Sequence, residues 1–151
     1  MDPRIAGTIF AQHSVTPELS MSEPSERADL LARTVIGAAI AVHRALGPGY
    51  PESVYEEAMA IELAHQGLRY RRQHTVGVFY RDQRVGEGRL DFLIEDALVV
   101  ELKAVERLAA VHRAQVIASL KATGLGLGLL LNFNEAVLKD GLERNVLRRS
   151  L

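Results

Sequence analysis

Near Gly67 the apolar residues change period, and that change divides the chain into two kinds of secondary structure. Between Glu26 and Leu46 apolar side chains recur at helical spacing, as in Leu31, Val35, Ala38, Ala39 and Val42. Gly47-Pro48-Gly49 stops this helix. A second helix is expected from about Pro51 or Glu52 to His65, with Pro51 at an early helical position and Gly67 as the stop. Beyond Gly67, residues 69–80 and 84–95 have strand character and join as a hairpin through Arg81-Asp82-Gln83. Residues 97–104 add a third strand after the turn Glu95-Asp96-Ala97, and a helix follows at about 108–123, ended by Gly124. The run from Leu125 to Asn132 reads as a buried strand in which Gly lets neighbours pack closely. Residues 134–151 are left for a short strand or turn and a basic tail.

The order α-α-β-β-β-α-β predicts an α/β (α+β) fold, one domain over 26–151 with a central mixed sheet flanked by helices. Residues 1–25 mix Pro, Ser, Thr and Glu without periodicity and are expected to be a disordered tail. Met21, just before the organised region, is a second candidate start.

A length of 151 residues suits a single core. The absence of cysteine excludes disulfides, zinc–thiolate sites and a cysteine nucleophile. No apolar run approaches the roughly 20 residues that span a bilayer, and the N-terminus lacks a signal-peptide pattern. A cytoplasmic protein without membrane contact is the expectation. The net charge of −1 conceals an asymmetry: residues 1–67 carry nine acids and four bases, residues 68–151 ten acids and fourteen bases. Arg69, Arg71, Arg72, Arg81, Arg84 and Arg89 lie around the expected strands. They would suit phosphates, but solvated arginines on exposed hairpins are the commoner case.

Asp91, on one apolar run, and Glu101-Leu102-Lys103, closing the next, are the leading chemical feature. Glu101 and Lys103 are two apart on a strand and share a face. Burying two carboxylates and an ammonium together is costly unless they serve a purpose, and binding a divalent cation is the simplest one. Magnesium keeps several waters, so Asp91, Glu101 and the Leu102 carbonyl would suffice to hold it. Lys103 beside it would orient or help deprotonate an attacking water, or neutralise developing negative charge. Such an arrangement suits phosphodiester hydrolysis. The plainer alternative is a surface Asp and a Glu–Lys strand pair, since the bare pattern is common by chance.

Glu52 opens the second helix in Gly49-Tyr50-Pro51-Glu52-Ser53-Val54-Tyr55, where the helix dipole alone accounts for an acid. If that helix end points at the strand site, Glu52 becomes a further metal or water ligand, with Tyr55 on the same face. Glu56 and Glu57 are expected to be solvated. His112, Gln115 and Ser119 form one stripe on the helix after Lys103, placed to hold a substrate phosphate or to be that helix's wet face. His43 is expected to be a capping or packed residue, and His13, His65 and His74 surface residues.

Gly49-x-x-Glu52-x-x-Tyr55 resembles the signature of the GxxExxY proteins. Ile36-Gly-Ala-Ala-Ile-Ala-Val-His43, Leu46-Gly-Pro-Gly49, Val100-Glu-Leu-Lys-Ala-Val-Glu106, His112-x-x-Gln115 and Gly128-Leu-Leu-Leu-Asn-Phe-Asn134 agree with it, over roughly residues 28 to 147. That family looks like a compact branch of the PD-(D/E)XK nuclease superfamily. The resemblance implies a restriction-endonuclease-like core and a magnesium-dependent phosphodiesterase site, with manganese as a substitute ion. By position, Asp91 is the motif's Asp, Glu101 its second acid and Lys103 its lysine, with Glu52 the acid from a core helix. Gln115 matches the Gln of a Q-x-x-x-Y element, but Ser119 stands where that element has Tyr. The implied site is therefore catalytic Lys103, Glu101, Asp91 and Glu52, with metal on Asp91, Glu101 and Glu52. Substrate would meet Gln115, Tyr55 and His112. The implied partner is nucleic acid, DNA or RNA, with a homodimer as the candidate assembly. A non-catalytic nucleic-acid- or partner-binding module, and a structural protein stapled by its metal, are the alternatives.

Overall fold

A computed structural model describes residues 25–148. The expected tail therefore lies outside the described residues apart from Ser25, as do Met21 and His13. Helix α1 (Glu26–Leu46) begins where the Ser25 hydroxyl accepts the Ala28 N–H at 3.0 Å, with Glu26 and Asp29 in its first turn. Gly47, at φ 70°, ends it, and α2 (Glu52–His65) starts directly after Pro51. The strands are β1 (Tyr70–Tyr80), β2 (Gln83–Ile94) and β3 (Leu98–Lys103), followed by α3 (Ala110–Thr123) and β4 (Leu127–Asn132). A short 3-10 helix (Leu138–Gly141) leads into β5 (Leu142–Val146), the strand for which the sequence left room near the C-terminus.

The five strands form one mixed sheet in the order β1-β2-β3-β4-β5. Only β3 and β4 run parallel, joined through α3; the other neighbours are antiparallel. Both hairpin turns place consecutive non-glycine residues at positive φ, Arg81 and Asp82 in one, Glu95 and Asp96 in the other. For the two-residue Arg81-Asp82 turn this is the backbone twist that tight hairpins require.

The sheet separates two apolar layers. Val35, Ala39 and Val42 of α1 and Tyr55, Met59 and Leu63 of α2 pack with Phe92, Val100, Leu102, Leu129 and Leu131 on one face. Val116 and Leu120 of α3 pack on the other face with Leu93, Val99 and Leu130. Gly128 permits that second contact: a Cβ there would stand 2.7 Å from Val116 Cγ1. The wholly buried β4 reads as a near-continuous apolar run for the same reason, having helices on both sides.

Tyr55 fastens the α1–α2 connection to this core. Its ring is fully buried and stacks on Phe133, centroids 4.7 Å apart. Its hydroxyl donates to the Gly47 carbonyl at 2.6 Å and accepts the Tyr50 N–H at 3.2 Å. The expectation that Tyr55 meets substrate is thus replaced by an internal role, since ring and hydroxyl are both consumed within the fold. Removing the hydroxyl strands the Gly47 carbonyl and the Tyr50 N–H. Tyr55→Phe is expected to cost about 1–3 kcal/mol of stability, measurable by urea unfolding.

Candidate functional site

Strands β2 and β3 pair only from Phe92↔Val100 to Ile94↔Leu98. One residue earlier on β2 the ladder stops. There the Asp91 carboxylate replaces a backbone acceptor, and its Oδ2 takes the Leu102 N–H at 2.8 Å. The two strands part at this point, and β3 continues alone on the β2 side. Its other side stays paired with β4 through Glu101↔Leu130, Leu102↔Leu131 and Lys103↔Asn132. The loop after Lys103 is fixed as well: Phe133 N–H donates to the Lys103 carbonyl at 2.9 Å. The fully buried Asn132 amide grips Val105 from both directions, accepting its N–H at 3.0 Å and donating to its carbonyl at 2.8 Å.

Strand alternation puts Glu101 and Lys103 on the face of Val99, whereas the alternation of β2 breaks at Asp91, since Leu90 and Leu93 both pack in that layer. At this break Asp91 lies close enough to Glu101 for the two carboxyls to act on one another. Glu101 is only 8% exposed, and its Oε1 has no hydrogen-bond partner. Burial, then the Asp91 charge and a hydrogen bond with the Asp91 side chain, push the Glu101 carboxyl up to about 9. The Asp91 backbone N–H and Lys103 act in the opposite direction. Glu52, at the first turn of α2, is raised as well, first by burial of its carboxyl and then by Asp91, with Lys103 lowering it and Glu56 raising it. Asp91 and Lys103 thus lie within electrostatic range of both Glu52 and Glu101.

The remaining expected residues take other places. His112 Nδ1 accepts the Ala109 N–H at 2.9 Å, so it closes the first turn of α3 where the N-cap residue has no side chain to do so. Gln115 and the half-buried Ser119 lie on α3 beside its packed residues Val116 and Leu120, Gln115 being exposed. His43 is buried, its Nε2 2.7 Å from the Glu135 carbonyl oxygen. His74 is half-buried rather than a plain surface residue, and burial and Arg71 lower it from the ordinary histidine value.

Several of the hairpin arginines are engaged in ion pairs. Arg72 binds Glu56 at 2.8 Å and Glu57 at 2.7 Å, Arg69 and Arg27 meet Glu95, and Arg84 meets Glu87. Glu56 and Glu57 are consequently ion-pair partners, not merely solvated acids. Glu56 also receives the amide of Gln73, a residue that no sequence pattern singled out.

A buried carboxylate oxygen without a partner, beside a second carboxylate, fits a divalent cation, whose charge would relieve both. Among the described residues no group of three or more His, Cys, Asp and Glu side chains is drawn together closely enough to hold a metal ion. The carboxylates in this arrangement that act most directly on one another are those of Asp91 and Glu101.

The split between β2 and β3, the acid pair across it and the lysine two residues on define a D…ExK site at a sheet end. The chain belongs to the PD-(D/E)XK nuclease superfamily, whose family model matches residues 29–145. No curated protein matches it significantly. The restriction-endonuclease-like core and the mixed sheet flanked by helices are those of this superfamily. No described helix is long and apolar enough to cross a membrane.

The raised Glu101 carboxyl sets a pH dependence. The folded chain holds that proton up to about 9, whereas an unfolded glutamate releases it near 4.5. Its contribution to stability is therefore complete below about 4.5 and declines as pH rises toward about 9. With a chelator present, Glu101→Gln is expected to be more stable than wild type at pH 8, by a few kcal/mol at most, with the gap narrowing toward pH 5. Thermal melts at the two pH values measure this. A gap independent of pH contradicts it.

Proposed function

We propose that this protein is a magnesium-dependent nuclease of the GxxExxY branch, hydrolysing phosphodiester bonds of DNA or RNA in the cytoplasm. The observation that carries the proposal is the Asp91–Glu101 carboxylate pair at the β2–β3 opening, with an unpartnered buried oxygen on Glu101. Asp91 and Glu101 would hold the ion, with Glu52 as a further ligand. Bound there, magnesium or manganese would supply Lewis-acid polarisation of the phosphate and a more acidic water.

The rest of the chemistry falls to the chain's own groups. Leu102 N–H fixes one oxygen of Asp91, so that carboxylate is oriented before any ligand arrives. Lys103, held at the end of a strand paired on its β4 side, carries an ammonium within electrostatic range of Glu101 and Glu52. There it would orient the attacking water and balance charge building on the phosphate oxygens. Gln115 is placed on the helix layer over the same sheet face, where its amide would meet a phosphate, and His112 would serve mainly to set the start of that helix. Ser119 in place of Tyr removes a stacking group from that layer.

The test is cleavage of linear, nicked, single-stranded and branched DNA and RNA with magnesium or manganese. Wild type is expected to cut at least one of them, with Glu101→Ala and Lys103→Ala slower by about 100-fold or more. Equal cutting by all three proteins sinks the assignment. Salt-dependent binding without cutting would instead identify a non-catalytic nucleic-acid module on the same fold.

A further inference from the structure

The register of β1 against β2 has a gap at the candidate site. Arg72 pairs with Phe92 and His74 with Leu90, but Gln73 and Asp91 between them do not pair. Gln73 sits at φ 49°, a left-handed backbone that a glutamine rarely adopts. From there its Nε2 donates to Asp91 Oδ1 at 3.2 Å and also to Glu56 Oε1. Two carboxylates share one amide, and both contacts are made by its NH2 end, the donor side of the group.

We infer that Gln73 is a positioning residue for the metal-binding carboxylate of Asp91, tying it to the helix turn that carries Glu52; this rests on the metal-dependent nuclease reading. Asp91 is held at both oxygens, Oδ2 by Leu102 N–H and Oδ1 by the Gln73 amide. Each oxygen carries a second lone pair, so the grip fixes the plane of the carboxylate and still leaves donors for an ion. The other hydrogen of the same NH2 holds Glu56, one helical turn after Glu52 on the same face of α2. Arg72 closes the frame by binding Glu56 and Glu57. The chain of contacts Arg72–Glu56–Gln73–Asp91–Leu102 thus runs from α2 across β1 and β2 to β3. Outer hydrogen-bond partners of ligating carboxylates commonly set metal affinity, and their loss costs about 10- to 100-fold.

Gln73 is exposed at the rim, and glycine adopts its backbone without strain, so the amide is removable without breaking the fold. Gln73→Gly removes amide and strain together. Gln73→Met keeps length and backbone strain and removes only the donor. Both are expected to weaken Mn2+ binding, measured by calorimetry with the ion alone, by about 10- to 100-fold. In urea with a chelator, Gln73→Gly should match or exceed wild-type stability. The inference is overturned if both variants bind Mn2+ like wild type, or if their lost affinity merely follows lost stability. If Mn2+ binding by wild type is absent, or survives Glu101→Ala, the underlying nuclease reading fails as well. Normal loss in Glu101→Ala with none in either Gln73 variant overturns the role of Gln73 alone.

Discussion

The site depends on one substituted hydrogen bond. A buried strand N–H must find an acceptor, and in a regular sheet Leu102 would take one from the backbone of β2. Asp91 offers its carboxylate instead, and this lets the two strands separate while no donor is left stranded. The opening would be a weak point if β3 lost both neighbours there. It keeps one: the parallel ladder to β4 runs through Lys103 itself, and Asn132 pins the segment that follows. Glu101 and Lys103 therefore stand on a strand that is rigid on one side and open on the other.

The helical layer is tied to this opening by polar contacts rather than by apolar packing alone. Tyr55 sets the angle at which α2 leaves the Gly47-Pro48-Gly49 connection, and Glu52 lies at the end so positioned. The neighbouring acids then face one another at a cost, visible in the raised carboxyls of Glu101 and Glu52. Glu101 keeps an unpartnered carboxylate oxygen in a nearly closed position. Local violations of polar satisfaction concentrate where function requires them.

Much of the architecture was legible because it follows from hydrophobic period. The helix around Val35, the hairpin, β3 and the apolar β4 announce themselves by spacing, the second helix is bracketed by Pro51 and Gly67, and Gly47 and Gly124 mark further stops. The D…ExK spacing was legible too, since two residues apart on a strand fixes a shared face. Tyr55 was misplaced because motif membership says nothing of side-chain direction; its neighbour Phe133 lies far away in sequence. His112 was taken for a ligand-facing group because it shares a helical stripe with Gln115 and Ser119, and only the structure shows the imidazole closing the first turn of α3. Gln73 was invisible for a different reason. Its left-handed backbone is one for which glutamine carries no local signal.

The same irregularity in β1 bears on how the molecule behaves among its own copies. β1 is an edge strand of 11 residues, long enough to offer a continuous row of unpaired backbone groups to another chain. Its outer end carries exposed Val78, Phe79 and Tyr80, the composition that favours edge-to-edge growth. The left-handed backbone at Gln73 and the register shift between Val78 and Phe79 interrupt the regularity of this row. A kink that orients a carboxylate on the inner side of the strand thereby also blunts its outer side as a template for polymerisation.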